Sequence, residues 1–154
     1  MKNRIAVFAV ILVLLTLGSA QAQIRDETIL TYQVLTEEWD DLIAGVLDLN
    51  EEQAAAFWPL YEEYTNLKAT LWEERIDVVA MFLSGYDTME PDIARGLLDA
   101  DFEIQGKMLA LKREYADRFD DVIPLNKVVR LFQAENKLET IMMMEVAKDV
   151  PLAK

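Results

Sequence analysis

Apolar residues recur at helical spacing along most of the chain, from about residue 26 onward. The most regular stripe follows a 3.6-residue period for about eight turns. Its members are Ile93, Leu97, Ala100, Ile104, Met108, Leu111, Tyr115, Phe119 and Val122. The alternation of apolar and polar residues that is typical of half-buried strands is scarce. The pattern therefore predicts an all-α protein.

The first two helices are predicted over residues 26–48 and 50–84. In the second, Asn50 can cap the first turn while Gln53 reaches back to the amide of the cap residue, which is a capping box. Gly85 is expected to end this helix in a left-handed conformation. The residues predicted on the apolar face of the first helix are Tyr32, Leu35, Trp39, Leu42, Ile43 and Val46. Those predicted to face inward in the second are Phe57, Leu60, Tyr61, Tyr64, Leu67, Leu71, Val78 and Phe82.

A third helix is predicted from a cap at Asp87 or Thr88, with Pro91 tolerated in its first turn, up to a break at Pro124. The fourth covers residues 126–148 and ends before Pro151. The second and third helices, each about 50 Å long, are joined by a few residues, which favours an antiparallel hairpin.

A hairpin of two helices encloses too little core for the apolar surface of this chain. The shorter first and fourth helices, or a second copy of the chain, must cover the remainder. Gly96, Ala100 and Gly106 are expected to permit close approach of the helices.

Pro59 interrupts an otherwise favourable helical sequence, LNEEQAAAFWPLYEEY over residues 49–64. At the ninth helical position it cannot donate to the carbonyl of Ala55, which costs about 3 kcal/mol if the helix stays straight. We therefore predict that Pro59 bends the second helix and turns the aromatic residues between Phe57 and Tyr64 toward a concave surface. The alternative is that the bend only fits the helix around its own core. The predicted fold is a long bent antiparallel hairpin with two shorter flanking helices.

The N-terminus has the pattern of a secretory signal peptide. Lys2 and Arg4 precede an apolar run over residues 5–17, and residues 20–22 form an A-x-A cleavage site. The run is shorter than the roughly 20 apolar residues of a membrane-spanning helix. We expect a signal peptide at 1–22, a mature single domain at 23–154 outside the cytoplasm, and no membrane insertion after cleavage.

Composition argues against most kinds of chemistry. The chain has no cysteine and no histidine, which removes disulfides, the usual zinc ligands and the commonest general base. Neighbouring carboxylates on a helix point about 100° apart and form no ready-made pair. The run Met142–Met144 splays in the same way, so core packing is favoured over binding of a soft metal. We expect no enzyme activity, no cofactor and no metal site.

The charge of the chain is strongly negative. It has 28 acidic and 15 basic residues, a formal net charge of −13. A nucleic-acid-binding face needs clustered Lys and Arg, so nucleic acid is not an expected partner.

Four aromatic residues are the candidate binding residues: Phe57, Trp58, Tyr61 and Tyr64. Core packing is the ordinary role of any one of these rings. However, Phe57 and Trp58 are adjacent and cannot both lie in one seam between helices. We therefore expect one of them at a dimer interface or on an exposed binding surface.

The segment Leu49-Asn50-Glu51-Glu52-Gln53, which follows the predicted signal peptide in a helical chain, resembles the LTxxQ motif of the Spy/CpxP superfamily of periplasmic proteins. Asn50 replaces the threonine and keeps the capping chemistry. A second helix start at residues 124–127 lacks the glutamine of the motif. The stretches AAAFWPLYEEY and VIPLNKVVRLFQAENKLETI are similar to a branch of small secreted bacterial proteins with F-W-P-x-Y and L-P-x-x-K…R-x-x-Q-x-E-N-K segments.

The resemblance implies a bent hairpin that dimerises into a shallow cradle, and a function among ATP-independent chaperones and envelope-stress modulators. Histidine-based metal sites of some relatives cannot exist here, and the chaperone members are basic where this chain is acidic. The leading expectation is a homodimeric polypeptide-binding protein that selects unfolded or basic chains. The alternatives are an accessory or sensor-partner protein with one dedicated protein ligand, and a cation-binding stress protein that uses carboxylates and methionine.

Overall fold

The protein is described from a computed structural model over residues 39–86, 89–150 and 152. The described residues form four α-helices: α1 (Trp39–Leu47), α2 (Glu51–Gly85), α3 (Pro91–Asp120) and α4 (Leu125–Asp149). The all-α prediction with four helices is confirmed. The predicted signal peptide and the predicted first helix before Trp39 lie outside the described residues. Within the described part, none of the helices is long and apolar enough to cross a membrane.

The start of α2 has the predicted capping box. The Asn50 side chain accepts a hydrogen bond from the Gln53 amide at 2.9 Å, and the Gln53 side chain accepts one from the Asn50 amide at 3.3 Å. This arrangement satisfies two amide groups that have no partner within the helix. Pro59 lies inside α2 and is exposed, and the helix continues past it to Gly85. The predicted bend at Pro59 stays a prediction.

The connection between α2 and α3 differs from its prediction. Gly85 has no positive φ, and the residue that caps α2 is Tyr86 in a right-handed conformation with φ −53° and ψ −41°. The left-handed ending predicted at Gly85 is therefore wrong. Pro91 occupies the first turn of α3 as predicted, but the cap residue is Glu90, which makes no side-chain cap hydrogen bond. The two cap candidates Asp87 and Thr88 lie outside the described residues.

The helices pack in three contacts: α2 lies along α3, α4 lies against α3, and α1 packs on α4. At their centre is a cluster of aromatic rings whose centroids are 5.2 to 6.3 Å apart. Each buried ring or aliphatic side chain stabilises the fold by about 1.5–3 kcal/mol relative to exposure. The cluster consists of Phe57, Tyr61, Tyr64, Tyr115 and Phe119, covered by Trp39, Ile43 and Leu47 of α1 and by Val128 and Leu131 of α4.

The end of the hairpin farthest from this core, residues 73–103, is called the distal arm here. None of its described residues is buried, and the nearest buried residues in sequence are Trp72 and Ile104. Gly96 and Gly106 are exposed, and a Cβ atom on either would meet nothing within 4 Å. The prediction that these two glycines bring helices close together is wrong. Ile93 is exposed although it was assigned to the inward stripe of the third helix, and Leu67 is exposed although it was assigned to that of the second.

Candidate functional site

Three of the four candidate binding aromatics are core residues. Phe57, Tyr61 and Tyr64 are between 0% and 1% exposed, which corrects the expectation that they line a surface. Trp58 is half-buried, and the centroid of its ring lies 5.2 Å from that of Phe57 and 5.7 Å from that of Tyr61 in edge-on contacts. Of the adjacent pair, Phe57 therefore takes the core and Trp58 keeps a partly exposed edge. Because the other three residues are buried, only Trp58 among these four could contact a polypeptide without a change in packing. Polypeptide binding by Trp58 stays a prediction.

The aromatic cluster surrounds a buried ion pair that joins α2 to α4. The Lys68 ammonium lies 3.2 Å from Glu135 Oε1 and 3.0 Å from Glu139 Oε1, and both Lys68 and Glu135 are buried. The hydroxyl groups of Tyr61 and Tyr64 donate to Glu135 at 3.3 Å and 2.8 Å. Both oxygens of this fully buried carboxylate therefore have partners, as burial of a charge requires.

Glu139 extends the network from α4 to α3. Lys112 donates to Glu139 Oε2 at 2.7 Å and lies 3.4 Å from the side-chain oxygen of Asn136. Burial by itself raises the pKa of Glu139, but the positive charges of Lys68 and Lys112 outweigh it and hold that pKa below its ordinary value. Glu139 is thus a carboxylate shared by one cation from each helix of the hairpin.

Aromatic faces and α1 close the network. The Lys68 ammonium lies 5.1 Å from the centroid of the Trp39 ring and 5.5 Å from that of Tyr64, within the range of a cation–π interaction. The C-terminal end of α1 is held by α4, because Lys127 donates to the Asp48 carbonyl and Arg130 donates to the Val46 carbonyl. Cations at the C-terminus of a helix also interact favourably with its dipole.

The contacts of this buried network hold α2, α3 and α4 together. Burial, followed by the negative charge of Glu135, raises the pKa of both Tyr61 and Tyr64, so their hydroxyls stay protonated and act as donors. Lys68 is held between two carboxylates and two rings. In the described residues, no three His, Cys, Asp or Glu side chains come together in a way that could hold a metal ion.

Sequence reasoning missed Lys68 and Glu135, although the pattern contained a signal for both. Lys68 falls in the apolar register of α2, four residues after Tyr64 and four before Trp72. Glu135 falls in the same way in the register of α4, four residues after the buried Leu131. A cation in one buried stripe and an anion in another indicate a pair, because a buried charge is costly unless it is paired.

The distal arm combines exposed apolar side chains with excess negative charge. Its exposed large apolar residues are Met81, Ile93, Leu98 and Phe102. Residues 73–103 include nine acidic and two basic residues, a formal net charge of −7, whereas residues 104–150 include eight of each. Salt bridges between exposed or half-exposed side chains occur at Arg75–Asp101, Arg95–Asp99 and Lys107–Glu74. The four candidate aromatic residues are predicted to form an exposed apolar surface. The distal arm contains none of the four, and it is the arm that has exposed apolar side chains.

No family model matches the chain, and the comparisons with curated proteins and with solved structures give no match either.

Proposed function

We propose that this protein is a periplasmic, non-enzymatic polypeptide-binding protein, of the chaperone-like or envelope-stress type, that binds through its distal arm. The observation that carries the proposal is the arm itself, where two long helices expose large apolar side chains and the described residues include no buried one. Leu98 and Phe102 are exposed on one face of α3, and neighbouring exposed apolar side chains are typical of surfaces that contact other proteins. Burial of such side chains against a partner is favourable at about 25 cal/mol per Å² of apolar surface.

Two features of the sequence support the compartment and the class. The signal-peptide pattern before Gln23 agrees with export. The resemblance of residues 49–53 to the Spy/CpxP motif agrees with a helical polypeptide-binding protein that acts as a homodimer. The negative charge of the arm favours basic or neutral clients over acidic ones, within about 8 Å at physiological salt.

A second candidate is an accessory or sensor-partner protein that binds one dedicated protein. The distribution of apolar residues on α3 favours it, since Leu98, Phe102 and Leu109 share one face of a single helix. A narrow stripe of this kind fits one shaped partner better than many unfolded chains.

An aggregation-suppression assay separates the two candidates. The purified protein is mixed with reduced lysozyme, a basic client, and with reduced α-lactalbumin, an acidic client, at low and at physiological salt. Suppression of both clients at equimolar protein, stronger for the basic one and weaker with salt, supports the chaperone-like function. If a tenfold excess of the protein over either client suppresses no aggregation, the chaperone-like function is contradicted and binding of one dedicated partner is the remaining candidate.

A further inference from the structure

One face of α3, in the distal arm and just beyond it, has three large apolar side chains that are exposed in the described part of the chain. Leu98, Phe102 and Leu109 are 44%, 60% and 52% exposed. Their spacing of four and seven residues places them within about 40° of one another around the helix axis, over roughly 16 Å of its length. They form a stripe of three turns, which is called the α3 stripe here and which is interrupted between Phe102 and Leu109 by the exposed side chain of Gln105.

The α3 stripe continues a face that is already covered by a helix nearer the core. Ala116 lies five turns beyond Leu98 on the same face and packs against the core. Lys112, less than half a turn away around the axis, donates to Glu139 of α4. The face of α3 that meets α4 near the core therefore continues to the stripe, where Leu98, Phe102 and Leu109 are exposed.

The charges beside the stripe have the opposite sign to those that α4 meets. Near the core, α3 presents the cation Lys112 and its partner helix presents the carboxylate Glu139. Around Phe102, α3 presents Asp99, Asp101 and Glu103. Each of these carboxylates already has a cation of the chain within ion-pair distance, at Arg95, Arg75 and Lys107 in turn. The arm as a whole still has a formal net charge of −7, so a helix seated there meets an excess of negative charge, and complementarity favours Lys or Arg on its flanks.

A second copy of this chain fits the stripe poorly through its own distal arm. Each arm has a formal net charge of −7 over residues 73–103, so two arms side by side repel each other. The charge distribution thus favours a different, basic occupant over arm-to-arm pairing.

From these observations we infer that the α3 stripe is a docking surface for a basic amphipathic helix, whose apolar face covers Leu98, Phe102 and Leu109 and whose Lys or Arg side chains reach the neighbouring carboxylates. The inference rests on the proposed polypeptide binding and specifies its partner. Recognition of an amphipathic helix by anchors about one turn apart is a recurring mode of peptide binding.

The test is a titration of the purified protein with two fluorescent 18-residue peptides. Both have leucines on one helical face; one has lysines on its flanks and the other has glutamates. Fluorescence anisotropy is expected to show at least tenfold tighter binding of the lysine peptide, with weaker binding as salt increases. Equal affinity for the two peptides, or no binding of the lysine peptide, would overturn the inference.

Variants locate the binding surface. The double substitution Leu98→Ser with Phe102→Ser is expected to weaken lysine-peptide binding at least tenfold. Leu125→Ser is the matched control, because Leu125 is 58% exposed at the start of α4, outside both the distal arm and the stripe; the affinity of this variant for the lysine peptide should stay within twofold. The double substitution Asp99→Asn with Glu103→Gln should reduce the difference in affinity between the lysine peptide and the glutamate peptide. Since all of these side chains are exposed, circular dichroism melting curves should remain those of the unsubstituted protein.

Two further outcomes separate this inference from the proposed function. If the double-serine variant suppresses aggregation as well as the unsubstituted protein, the docking role of the stripe is contradicted and the polypeptide-binding function is retained. If the lysine peptide binds but no aggregation is suppressed, the docking role is supported and the chaperone-like function is contradicted. A homodimer that dissociates only in the double-serine variant, measured by sedimentation velocity, would make a second copy the occupant and overturn the inference.

Discussion

The two ends of the α2–α3 hairpin have similar helical sequences and very different interiors. Near the core, α1 and α4 cover the hairpin, and the side chains at the seam are buried from Phe57 to Trp72 on α2. In the distal arm the same two helices continue, and none of the described side chains is buried. The difference shows that a seam between two helices does not bury its residues fully, and that a third and fourth helix create the core.

The charges of the two ends differ as much as their packing. Near the core, Lys68, Glu135 and Glu139 are held in a network of ion pairs and hydrogen bonds. In the distal arm the ion pairs lie at the surface, where each contributes about 0–1 kcal/mol. Near the core, charged side chains therefore hold the helices together, and in the distal arm the charged side chains are exposed to solvent.

The largest expected difference between the two ends is the effect of removing a phenyl ring. Phe119→Ala should lower the free energy of unfolding by about 3–5 kcal/mol, because Phe119 is fully buried among five aromatic rings. Phe102→Ala on the same helix should change it by less than about 0.5 kcal/mol, because Phe102 is exposed. Urea unfolding measures both, and similar losses in the two variants would mean that the arm is covered in solution.

A smaller difference is expected between two tyrosine hydroxyls. Tyr64→Phe should cost about 1.5–3 kcal/mol, because it removes a 2.8 Å hydrogen bond to the buried Glu135 carboxylate. Tyr115→Phe should cost about 0.5–1 kcal/mol, because its acceptor Glu63 is half exposed and keeps two bonds from Arg118. Thermal and urea unfolding of the pair give the comparison, which fails if Tyr115→Phe costs as much as Tyr64→Phe.

Replacement of Pro59 tests whether α2 is bent near the core for the benefit of binding. We expect Pro59→Ala to raise the free energy of unfolding by about 1 kcal/mol, a part of the roughly 3 kcal/mol cost of an interior proline. The matched control is Pro91→Ala in the first turn of α3, where proline is harmless and the change should stay below about 0.5 kcal/mol.

On the functional interpretation, Pro59→Ala also weakens binding of clients or of a partner while helix content is kept. A less stable variant, or an equally stable one with binding intact, would show that the bend does not shape a binding surface.

The smallest expected effect is a loss of stability in acid. The pKa of Glu139 is lowered despite burial, by Lys68 and Lys112, so its contribution is complete above the ordinary carboxyl pKa of 4.5 and is lost as the pH falls through the lower folded value. Unfolding free energy measured from pH 7 to pH 3 should therefore fall mainly below about pH 4.5. In Glu139→Gln, the unfolding free energy should fall less between pH 7 and pH 3 than it does in the unsubstituted protein. If it falls by the same amount, other carboxylates cause the loss of stability in acid.

The amino-acid sequence predicted the helices, but it did not predict which side chains are exposed on their surface. Periodicity and the Asn50–Gln53 capping box located the start of α2, because both depend on residues close together in the chain. Whether Phe57 and Tyr61 face a partner or a core depends on where α4 packs, and local pattern does not contain that information. The exposure of Phe102, which is 60%, likewise depends on how the helices pack and is not contained in the local pattern.

The separation in sequence between the buried ion pair and its tyrosine donors has a consequence for how the chain folds. Glu135 follows Tyr64 by 71 residues and Tyr61 by 74, so both donors leave the ribosome well before their acceptor. A hairpin of α2 and α3 without α4 would leave the Lys68 cation and two hydroxyls without the Glu135 carboxylate. Contacts between residues so distant along the chain form slowly, because a long loop must close first. We therefore expect the core to close only when α4 packs on the hairpin.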